Sequence, residues 1–431
     1  WILHSLGVNH NQYVALDPNL IQQECQDRHS ICAGTLGFAP DGWYFDEAEV
    51  DFWQVWHALA AAYPLDTERT VISGYSMGGW ATYKLGLAHP DLFSEALSLE
   101  GPPTCGIRVI EELDGTEVRA PATSGRCTDD GTSVPLLQNA RSLPYVMTQG
   151  AIDELVPLPS VIQVAQDLDK LGYRYHFFFL PAEDHLVYAT QDRFGPQVLA
   201  LGGTPNRVVN PAHITYAWFP NLTRSDLAIG TTTAYWITGL SARSNAPGVI
   251  AKVDATSSAI TDPAVSVQHA TGLFANPLAQ AEYALTWKAG AKPVAKDALQ
   301  LTLTGVQGAT VQLPRARLTC PAITATSDGA TTLTLAGLPT GASVVRGSTV
   351  VAKANAGRTA RIALTNGTNA LQVMCHAVSA HPPTAHAGPP VTAPGGALAA
   401  TGLGVLPWTA LASLAGFLIV RRRASGPASP H

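Results

Sequence analysis

Charged side chains are scarce in this chain of 431 residues. Only 13% of the residues are Asp, Glu, Lys or Arg, and the formal net charge is −6. The sequence has no basic patch of the kind that binds nucleic acid, so nucleic acid is not an expected partner. It also lacks a G-x-G-x-x-G run after a strand, a C-x-x-C pair and an H-E-x-x-H helix. The sequence therefore predicts neither a cofactor nor a metal site.

Residues 71–79 carry the most informative pattern of the chain, V-I-S-G-Y-S-M-G-G. Apolar residues that indicate a strand lead into a G-x-S-x-G turn, and helix-compatible residues follow. Such an elbow exposes a serine at a fixed angle, which a weak nucleophile requires. The pattern predicts Ser76 as the nucleophile and the backbone N–H of Met77 as an oxyanion donor.

An acid and a histidine follow the serine in the chain order that this elbow requires. Asp153 comes after a strand predicted over residues 144–148, and His185 comes after a strand predicted over residues 173–180. Because parallel strands end at one edge of a sheet, we expect both loops to lie beside the serine. In this interpretation His185 is the general base and acid and Asp153 orients it, with Glu154 as the alternative acid.

The first seven residues, W-I-L-H-S-L-G, indicate an apolar strand that runs into His4 and a turn of small residues. This segment resembles the first oxyanion loop of α/β-hydrolases, which usually reads H-G-x-G, with Ser5 where glycine is commoner. The resemblance implies the backbone N–H of Leu6 as the second oxyanion donor, with that of Ser5 as the alternative.

Taken together, residues 1 to about 200 resemble the α/β-hydrolase superfamily, and in particular secreted actinobacterial hydrolases of the prolyl-oligopeptidase-like serine peptidases. The likeness rests on G-Y-S-M-G-G at 74–79, H-P-D-L-F at 89–93, D-E-L-V-P at 153–157, D-H at 184–185 and N-P-A-H-I-T-Y at 210–216. It implies cleavage of a peptide or ester substrate through an acyl-enzyme. Esterases and lipases share the elbow and the triad, so these motifs fix the mechanism and not the substrate.

The order of the predicted elements gives the architecture of the first 204 residues. Strands are expected at 1–4, 70–73, 94–99, 144–148 and 173–180, and helices at 49–63, 77–89 and 160–171. This alternation predicts an α/β catalytic domain over residues 1–204, with a mostly parallel sheet covered by helices on both faces. Residues 101–142 form a long irregular insertion, which we expect to be a lid over the active-site edge.

The composition changes after about residue 205. Thr, Val, Ala and Gly dominate, and alternating runs such as A-L-Q-L-T-L-T at 298–304 are separated by turn signals. This pattern is typical of β-sandwich modules, which we expect over residues 205–378. Residues 379–397 are rich in Pro, Ala and Gly, which indicates a linker.

Six cysteines fall into three local groups. The groups are Cys25 with Cys32, Cys105 with Cys127, and Cys320 with Cys375. An even number of cysteines in separate local groups suggests three disulfides formed in an oxidising compartment. Pairing of nearest neighbours is one of several connectivities that six cysteines allow, and buried free thiols are the alternative.

The C-terminal residues 398–431 carry a pattern associated with export. The pentapeptide L-A-A-T-G at 398–402 precedes an apolar run at 403–420 and three arginines. The run is long enough to span a bilayer as a transmembrane helix, and the arginines favour the cytoplasmic side. This arrangement resembles a cell-wall sorting signal of Gram-positive bacteria, which implies that a sortase cleaves between Thr401 and Gly402 and joins Thr401 to peptidoglycan. A plain membrane anchor is the alternative.

The chain begins with Trp1 rather than methionine, and its first element is already the strand of the oxyanion loop. We therefore expect further strands of the sheet, and any signal peptide, to lie before Trp1.

These observations predict a secreted serine hydrolase anchored at the cell surface, with a serine peptidase favoured over a carboxylesterase. One alternative is a carboxylesterase or lipase-type activity. Another is a non-catalytic surface adhesin that keeps a hydrolase domain as its scaffold, against which the complete Ser–Asp–His set argues.

Overall fold

The computed structural model describes residues 1–375 except 39–40, 107, 112–115, 120–126, 128–129, 203–205 and 231. The predicted linker at 379–397 and the predicted sorting signal at 398–431, with its apolar run and its cleavage residues Thr401 and Gly402, lie outside the described residues. None of the helices in the described part combines the length and the apolar character of a membrane-spanning segment.

Strands outnumber helices along the described chain. The strands are β1 (Ile2–Leu3), β2 (Val71–Tyr75), β3 (Glu95–Leu99), β4 (Arg108–Glu111), β5 (Thr116–Arg119), β6 (Tyr145–Gly150), β7 (Tyr175–Leu180), β8 (His213–Trp218), β9 (Ile237–Ala242), β10 (Ala251–Ser257), β11 (Val265–Phe274), β12 (Gln280–Ala289), β13 (Ala298–Thr304), β14 (Val306–Gln312), β15 (Ala322–Ser327), β16 (Thr331–Ala336), β17 (Ser343–Arg346), β18 (Thr349–Lys353), β19 (Thr359–Leu364) and β20 (Gly367–Met374). The α-helices are α1 (Gln12–Ala15), α2 (Pro18–Leu20), α3 (Glu47–Ala62), α4 (Met77–Ala88), α5 (Leu158–Leu171), α6 (Val187–Gln191) and α7 (Gly195–Ala200). Short helical turns of other types cover Ile21–Gln26, Thr67–Arg69, Val134–Ser142 and Pro220–Leu222.

The first sheet is the parallel α/β sheet that the sequence predicts. Its strand order is β1-β2-β3-β6-β7-β12-β11, and the first five strands are parallel. Each predicted strand and each of the three predicted helices is present, with bounds that differ by a few residues at most. The carboxyl ends of β2, β6 and β7 therefore meet at one edge of the sheet, as expected for a site built on their loops.

Helices cover both faces of this sheet. On one face, side chains of α3, α4 and α5 pack with Leu3, Ile72 and Tyr145 in one core cluster. On the other face, residues of α2 and α6 pack with Ile2 and Val146 in a second cluster. Neighbouring residues of a strand point to opposite faces, so a strand buried on both sides is apolar throughout, as β1 is.

The predicted β-sandwich is formed by two further sheets. Their strand orders are β18-β17-β20-β15-β13-β10-β8 and β19-β16-β14-β9. Strand β13 shows the alternation that the sequence predicts, because Leu299, Leu301 and Leu303 are buried and the residues between them are exposed. The inward-facing residues of both sheets form one core cluster.

The structure differs from the predicted division at residue 204. The hairpin of β11 and β12 lies within the region expected to be β-sandwich, yet it completes the α/β sheet. Strand β12 pairs antiparallel with β7, from Ala281 opposite Phe179 to Leu285 opposite Tyr175. Alternation identifies a strand but does not reveal which sheet it joins, so the sequence places this hairpin in the wrong domain.

The structure also differs from the prediction that all of the insertion at 101–142 is a lid. Its last residues form the helical turn Val134–Ser142, in which Leu137 and Ala140 are buried in the core, so this part is not a lid. Asn139 in this turn is buried and donates from Nδ2 to the carbonyls of Leu87 and Ala217, each at 2.8 Å. Its Oδ1 accepts from the Ala217 N–H at 2.7 Å, so one side chain joins α4 to strand β8.

The prediction of three local disulfides is confirmed. The pairs are Cys25–Cys32, Cys105–Cys127 and Cys320–Cys375. The first lies beside the α/β sheet, the second closes the insertion, and the third joins the segments that enter β15 and leave β20. No free cysteine is present in the described part of the chain.

Candidate active site

Ser76 lies between β2 and α4 in a strained backbone conformation, with φ 56° and ψ −117°. A positive φ is unfavourable for serine and is maintained only where the surroundings enforce it. The two glycines of the motif provide the space. A Cβ on Gly74 would overlap the backbone of Gly78, and a Cβ on Gly78 would overlap the carbonyl of Leu3. The elbow therefore brings the serine against the end of β1.

The structure brings the three predicted triad residues together. His185 Nε2 lies 2.8 Å from Ser76 Oγ, and His185 Nδ1 lies 2.8 Å from Asp153 Oδ2. All three residues are buried. With Nδ1 protonated, the histidine donates to Asp153 and offers Nε2 as the acceptor for the serine proton. This is the geometry that general-base activation of a serine requires.

Asp153 is held in place by hydrogen bonds to both of its carboxyl oxygens. Its Oδ1 accepts the N–H groups of Leu155 and Val156 at 2.9 and 2.7 Å. Its Oδ2 accepts Gln149 Nε2 at 2.7 Å besides His185. The alternative acid Glu154 is exposed, and the carboxylate that contacts His185 is that of Asp153.

The oxyanion loop after β1 is fixed by buried hydrogen bonds. Ser5 N–H donates to Gln12 Oε1 at 2.7 Å, and Ser5 Oγ donates to the Tyr75 carbonyl at 3.0 Å. His4 is fully buried and contacts the carbonyl of Leu36 through Nε2 at 2.9 Å. Because the Ser5 amide is already used, the geometry favours Leu6 over Ser5 as the donor toward an oxyanion.

Met77 is the first residue of α4, where a backbone N–H has no partner within the helix. Its N–H therefore remains available at the position where the elbow motif predicts an oxyanion donor.

Gln12, which accepts the Ser5 N–H, also donates to Asp17 Oδ2 at 3.4 Å, and burial raises the pKa of Asp17 to about 7. A second layer of polar residues thus supports the oxyanion loop.

Tyr75 fixes the backbone of the histidine loop. Its ring stacks on the His185 ring with centroids 5.6 Å apart, and its hydroxyl donates to the His185 carbonyl. Burial raises the pKa of the Tyr75 hydroxyl far above its ordinary value. The phenol therefore stays protonated and remains a donor.

Glu100 is a buried acid beside the triad that the motifs do not identify. It follows β3 directly, has a φ of 47°, and is fully buried. Its Oε2 accepts the Gly150 N–H at 2.8 Å. The one sequence signal was a carboxylate immediately after an apolar strand, on the same edge as Ser76.

No group of three or more His, Cys, Asp or Glu side chains arranged to hold a metal ion occurs within the described residues.

The Cys105–Cys127 disulfide closes the insertion, and the Cys105 N–H donates to the Gly131 carbonyl at 2.7 Å. The predicted lid falls partly on residues outside the described part, and there it stays a prediction.

Residues 46–200 match a family model described as the prolyl oligopeptidase family. The match includes the serine elbow, Asp153 and His185, and it supports over this region the family resemblance suggested by the sequence motifs. A search of curated proteins gave no match.

Solved structures of serine hydrolases are similar to part of the chain. The fluorophosphonate-binding serine hydrolase F of Staphylococcus aureus is 18% identical, with a TM-score of 0.35, over 48% of this chain and 82% of that one. A ferulic acid esterase is 18% identical, with a TM-score of 0.34, over 43% and 76%. An acylaminoacyl peptidase of Pyrococcus horikoshii is 16% identical, with a TM-score of 0.28, over 36% and 27%. At such identities and scores, the activity of this chain has to be argued from its own site.

Proposed function

We propose that this protein is a serine hydrolase that cleaves peptide or ester bonds through an acyl-enzyme. The observation that carries the proposal is the continuous chain of hydrogen bonds from Ser76 through His185 to Asp153 at a strained, buried elbow. Activation of a serine by a positioned base needs this geometry, and an inert scaffold has no need to maintain the strain.

In the first step, Ser76 Oγ attacks the carbonyl carbon of the substrate, and His185 Nε2 takes the hydroxyl proton. Asp153 stabilises the imidazolium that forms. The N–H groups of Met77 and Leu6 donate to the oxygen of the tetrahedral intermediate. His185 then gives its proton to the leaving amine or alcohol, and the acyl group stays on Ser76.

In the second step, water attacks the acyl-enzyme. His185 takes a proton from the water, the intermediate forms again in the same oxyanion hole, and collapse returns the proton to Ser76 Oγ. The products are a carboxylic acid and the amine or alcohol released earlier, and the free enzyme is regenerated.

Exposed apolar residues adjoin two members of the triad in sequence. Ile152 precedes Asp153 and is 63% exposed, and Leu186 follows His185 and is 51% exposed. These side chains favour a substrate with an apolar group near the scissile bond. The family match leans toward a peptide, and an apolar acyl ester is equally compatible with these residues.

The location that we propose is the cell surface. Its support is the sequence of residues 398–431, in which a sortase would join Thr401 to peptidoglycan after release of Gly402, and the apolar run at 403–420, which would hold the unprocessed protein in the membrane. The three disulfides favour the same oxidising compartment.

The experiment that tests the activity is labelling with a fluorophosphonate probe, with the wild type beside Ser76→Ala and His185→Ala. We expect the probe to label the wild type and neither variant. The control Ser73→Ala, in the same strand–turn segment, should still be labelled. Absence of labelling in folded wild-type protein would overturn the hydrolase proposal and favour the adhesin alternative.

Substrate class is then decided by parallel turnover of matched peptide amides and acyl esters that carry the same apolar group. Turnover of the amides at a rate comparable to the esters supports a peptidase. Turnover restricted to esters assigns the protein to the carboxylesterases.

A further inference from the structure

Glu100 is tied by its backbone to the catalytic elements on both sides. The Glu100 N–H donates to the Thr148 carbonyl of β6 at 3.1 Å, and the preceding Leu99 carbonyl accepts the Ser76 N–H at 2.8 Å. The side chain is fully buried, and its positive φ indicates that the surroundings enforce its position. The backbone of Glu100 is thus hydrogen-bonded to β6, and that of the residue before it to Ser76.

The hydrogen bonds of Glu100 and Asp153 differ sharply. Asp153 accepts four donors, two backbone N–H groups, Gln149 Nε2 and His185 Nδ1. Glu100 accepts one, the Gly150 N–H on Oε2, while no N–H or O–H group of the described residues donates to its buried Oε1, and its carboxyl has the Asp153 carboxyl as a hydrogen-bonding neighbour. A buried carboxylate needs donors, and Asp153 has four where Glu100 has one.

Within the described residues, the titratable groups with a recorded interaction with Glu100 are the Asp153 and Asp184 carboxyls and the phenols of Tyr75 and Tyr188. Burial first, and the Asp153 charge second, raise the pKa of Glu100 well above its ordinary value. Two adjacent buried carboxyls share one site and do not both ionise, so one of them keeps a proton.

We propose that Glu100 is a positioning residue that stays protonated throughout the reaction and donates a hydrogen bond from its carboxyl to Asp153. This inference rests on the proposed function of the triad. The neutral acid leaves Asp153 as the one carboxylate opposite His185. A second negative charge there would stabilise the imidazolium and leave His185 protonated when it has to accept the serine proton.

Two substitutions distinguish the effect of the carboxyl proton from the effect of the size and shape of the side chain. Glu100→Gln keeps an oxygen for the Gly150 N–H and supplies an amide donor to Asp153, so it mimics a protonated acid. Glu100→Met keeps the length but removes the donor. Glu95→Gln is the matched control, because Glu95 is a buried acid at the opposite end of the same strand, about 16 Å away.

The first readout is the pKa of His185, measured by NMR on protein with isotope-labelled histidine and assigned with His185→Ala. We expect the His185 pKa in Glu100→Gln to stay within about 0.3 of the wild type, because a neutral group replaces a neutral group. A fall of about 1 or more would show that Glu100 is ionised and would overturn the inference.

The second readout is the rate of fluorophosphonate labelling as a function of pH. We expect Glu100→Met to be labelled about tenfold more slowly or worse, because a donor to a charged group is lost, and Glu100→Gln to restore most of the rate. Equal rates for Glu100→Met and the wild type, or a tenfold loss in Glu100→Gln, would contradict the positioning role. If Glu100→Met does not fold, the labelling rate of Glu100→Gln relative to the wild type tests the positioning role by itself.

Failure of the proposed hydrolase function gives a different result from failure of the inference about Glu100. If the wild type is not labelled, Ser76 is not an activated nucleophile, whatever Glu100 does. The NMR titration needs no turnover, so it reports the charge of Glu100 even in that case.

Discussion

The α/β region and the β-sandwich bury different types of polar side chain. In the described residues, the buried Asp, Glu and His side chains all lie before residue 200. They are His4, Asp17, Glu24, Glu49, Glu95, Glu100, Asp130, Asp153 and His185. The polar residues buried in the two sandwich sheets carry only hydroxyls and an amide, namely Ser257, Ser327, Thr331, Ser343 and Asn369. Buried ionisable groups are costly and gather where a protein performs chemistry.

Backbone strain occurs in both regions but at different places. In the α/β region Ser76 and Glu100, at the ends of the neighbouring strands β2 and β3, have positive φ. In the sandwich region Tyr235, Arg317 and Arg358 have positive φ, and they lie in turns and bends between strands. The difference teaches that the α/β region is organised around a site, and the sandwich around packing. Four predictions, from the largest effect to the smallest, test this contrast.

The largest expected effect is on catalysis. Asp153→Asn keeps the size of the side chain but removes the charge that orients and balances His185, so we expect kcat/KM for an ester substrate to fall by about 10⁴-fold. The matched control is Glu154→Gln, because Glu154 is an exposed neighbour and the carboxylate hydrogen-bonded to His185 is that of Asp153. A comparable loss in the control would transfer the role of the acid to Glu154.

The second prediction concerns the elbow. Gly78→Ala places a methyl group on the Leu3 carbonyl, and we expect the free energy of unfolding to fall by about 3 kcal/mol, with loss of labelling at Ser76. Gly195→Ala is the control, because a Cβ there meets nothing within 4 Å. Urea unfolding measures both variants. A Gly78→Ala protein as stable as the control would show that the close approach of strand and helix is not needed.

The third prediction tests whether the two regions unfold together. Asn139→Ala removes three buried hydrogen bonds that join α4 to β8, and we expect a loss of about 2 kcal/mol in a single cooperative transition. Thermal unfolding followed by tryptophan fluorescence measures it, with the exposed Asn366→Ala as control. Two separate transitions in the wild type would mean that the sandwich is an independent module.

The smallest effects are on the pH dependence of stability, and they have opposite signs in two buried acids. Burial opposes ionisation of Glu49, but the Lys84 ammonium and His89 outweigh it and lower the Glu49 pKa to about 2. Its contribution to stability is therefore present above about pH 4.5 and is lost as the pH falls toward 2. Burial raises the pKa of Glu95 to about 8, so its protonated form favours folding at low pH and this contribution is lost as the pH rises from about 4.5 to 8.

We therefore expect Glu95→Gln to increase the free energy of unfolding at pH 8 by about 1 kcal/mol, and Glu49→Gln to flatten the loss of stability below pH 4.5. Urea unfolding at pH 3, 6 and 8 checks both. A Glu95→Gln protein that is less stable than the wild type at pH 8 would show that Glu95 is held as a needed anion.

Much of the fold and of the candidate site is predictable because it depends on local pattern. Ser76 lies in a motif whose glycines and flanking strand are contiguous, and His185 and Asp153 follow strands whose apolar runs are clear. The disulfides Cys25–Cys32 and Cys105–Cys127 also pair within short segments, whereas Cys320–Cys375 is predictable because no other cysteine lies near either partner in the sequence. In most of these cases the residues that specify the feature are close in sequence.

The features that the sequence does not predict depend on contacts between distant segments. Glu100 gains its significance from Gly150 and Asp153, which lie some fifty residues away. The hairpin of β11 and β12 reads as two alternating strands, and only the free edge of β7 decides which sheet it joins. The helical turn Val134–Ser142 sits in a stretch rich in turn-forming residues, and its burial results from packing against α5 and β8.

The hairpin also sets an order for biosynthesis. Strand β7 ends at Leu180, but its neighbour β12 is synthesised only a hundred residues later, at Gln280–Ala289. Until that segment has left the ribosome, β7 presents an unpaired edge next to the histidine loop, and such edges invite pairing with other chains. The catalytic sheet is thus completed late and from a distance. A shortened version for expression should keep residues 265–289, because a chain cut at residue 204 leaves the sheet open beside His185.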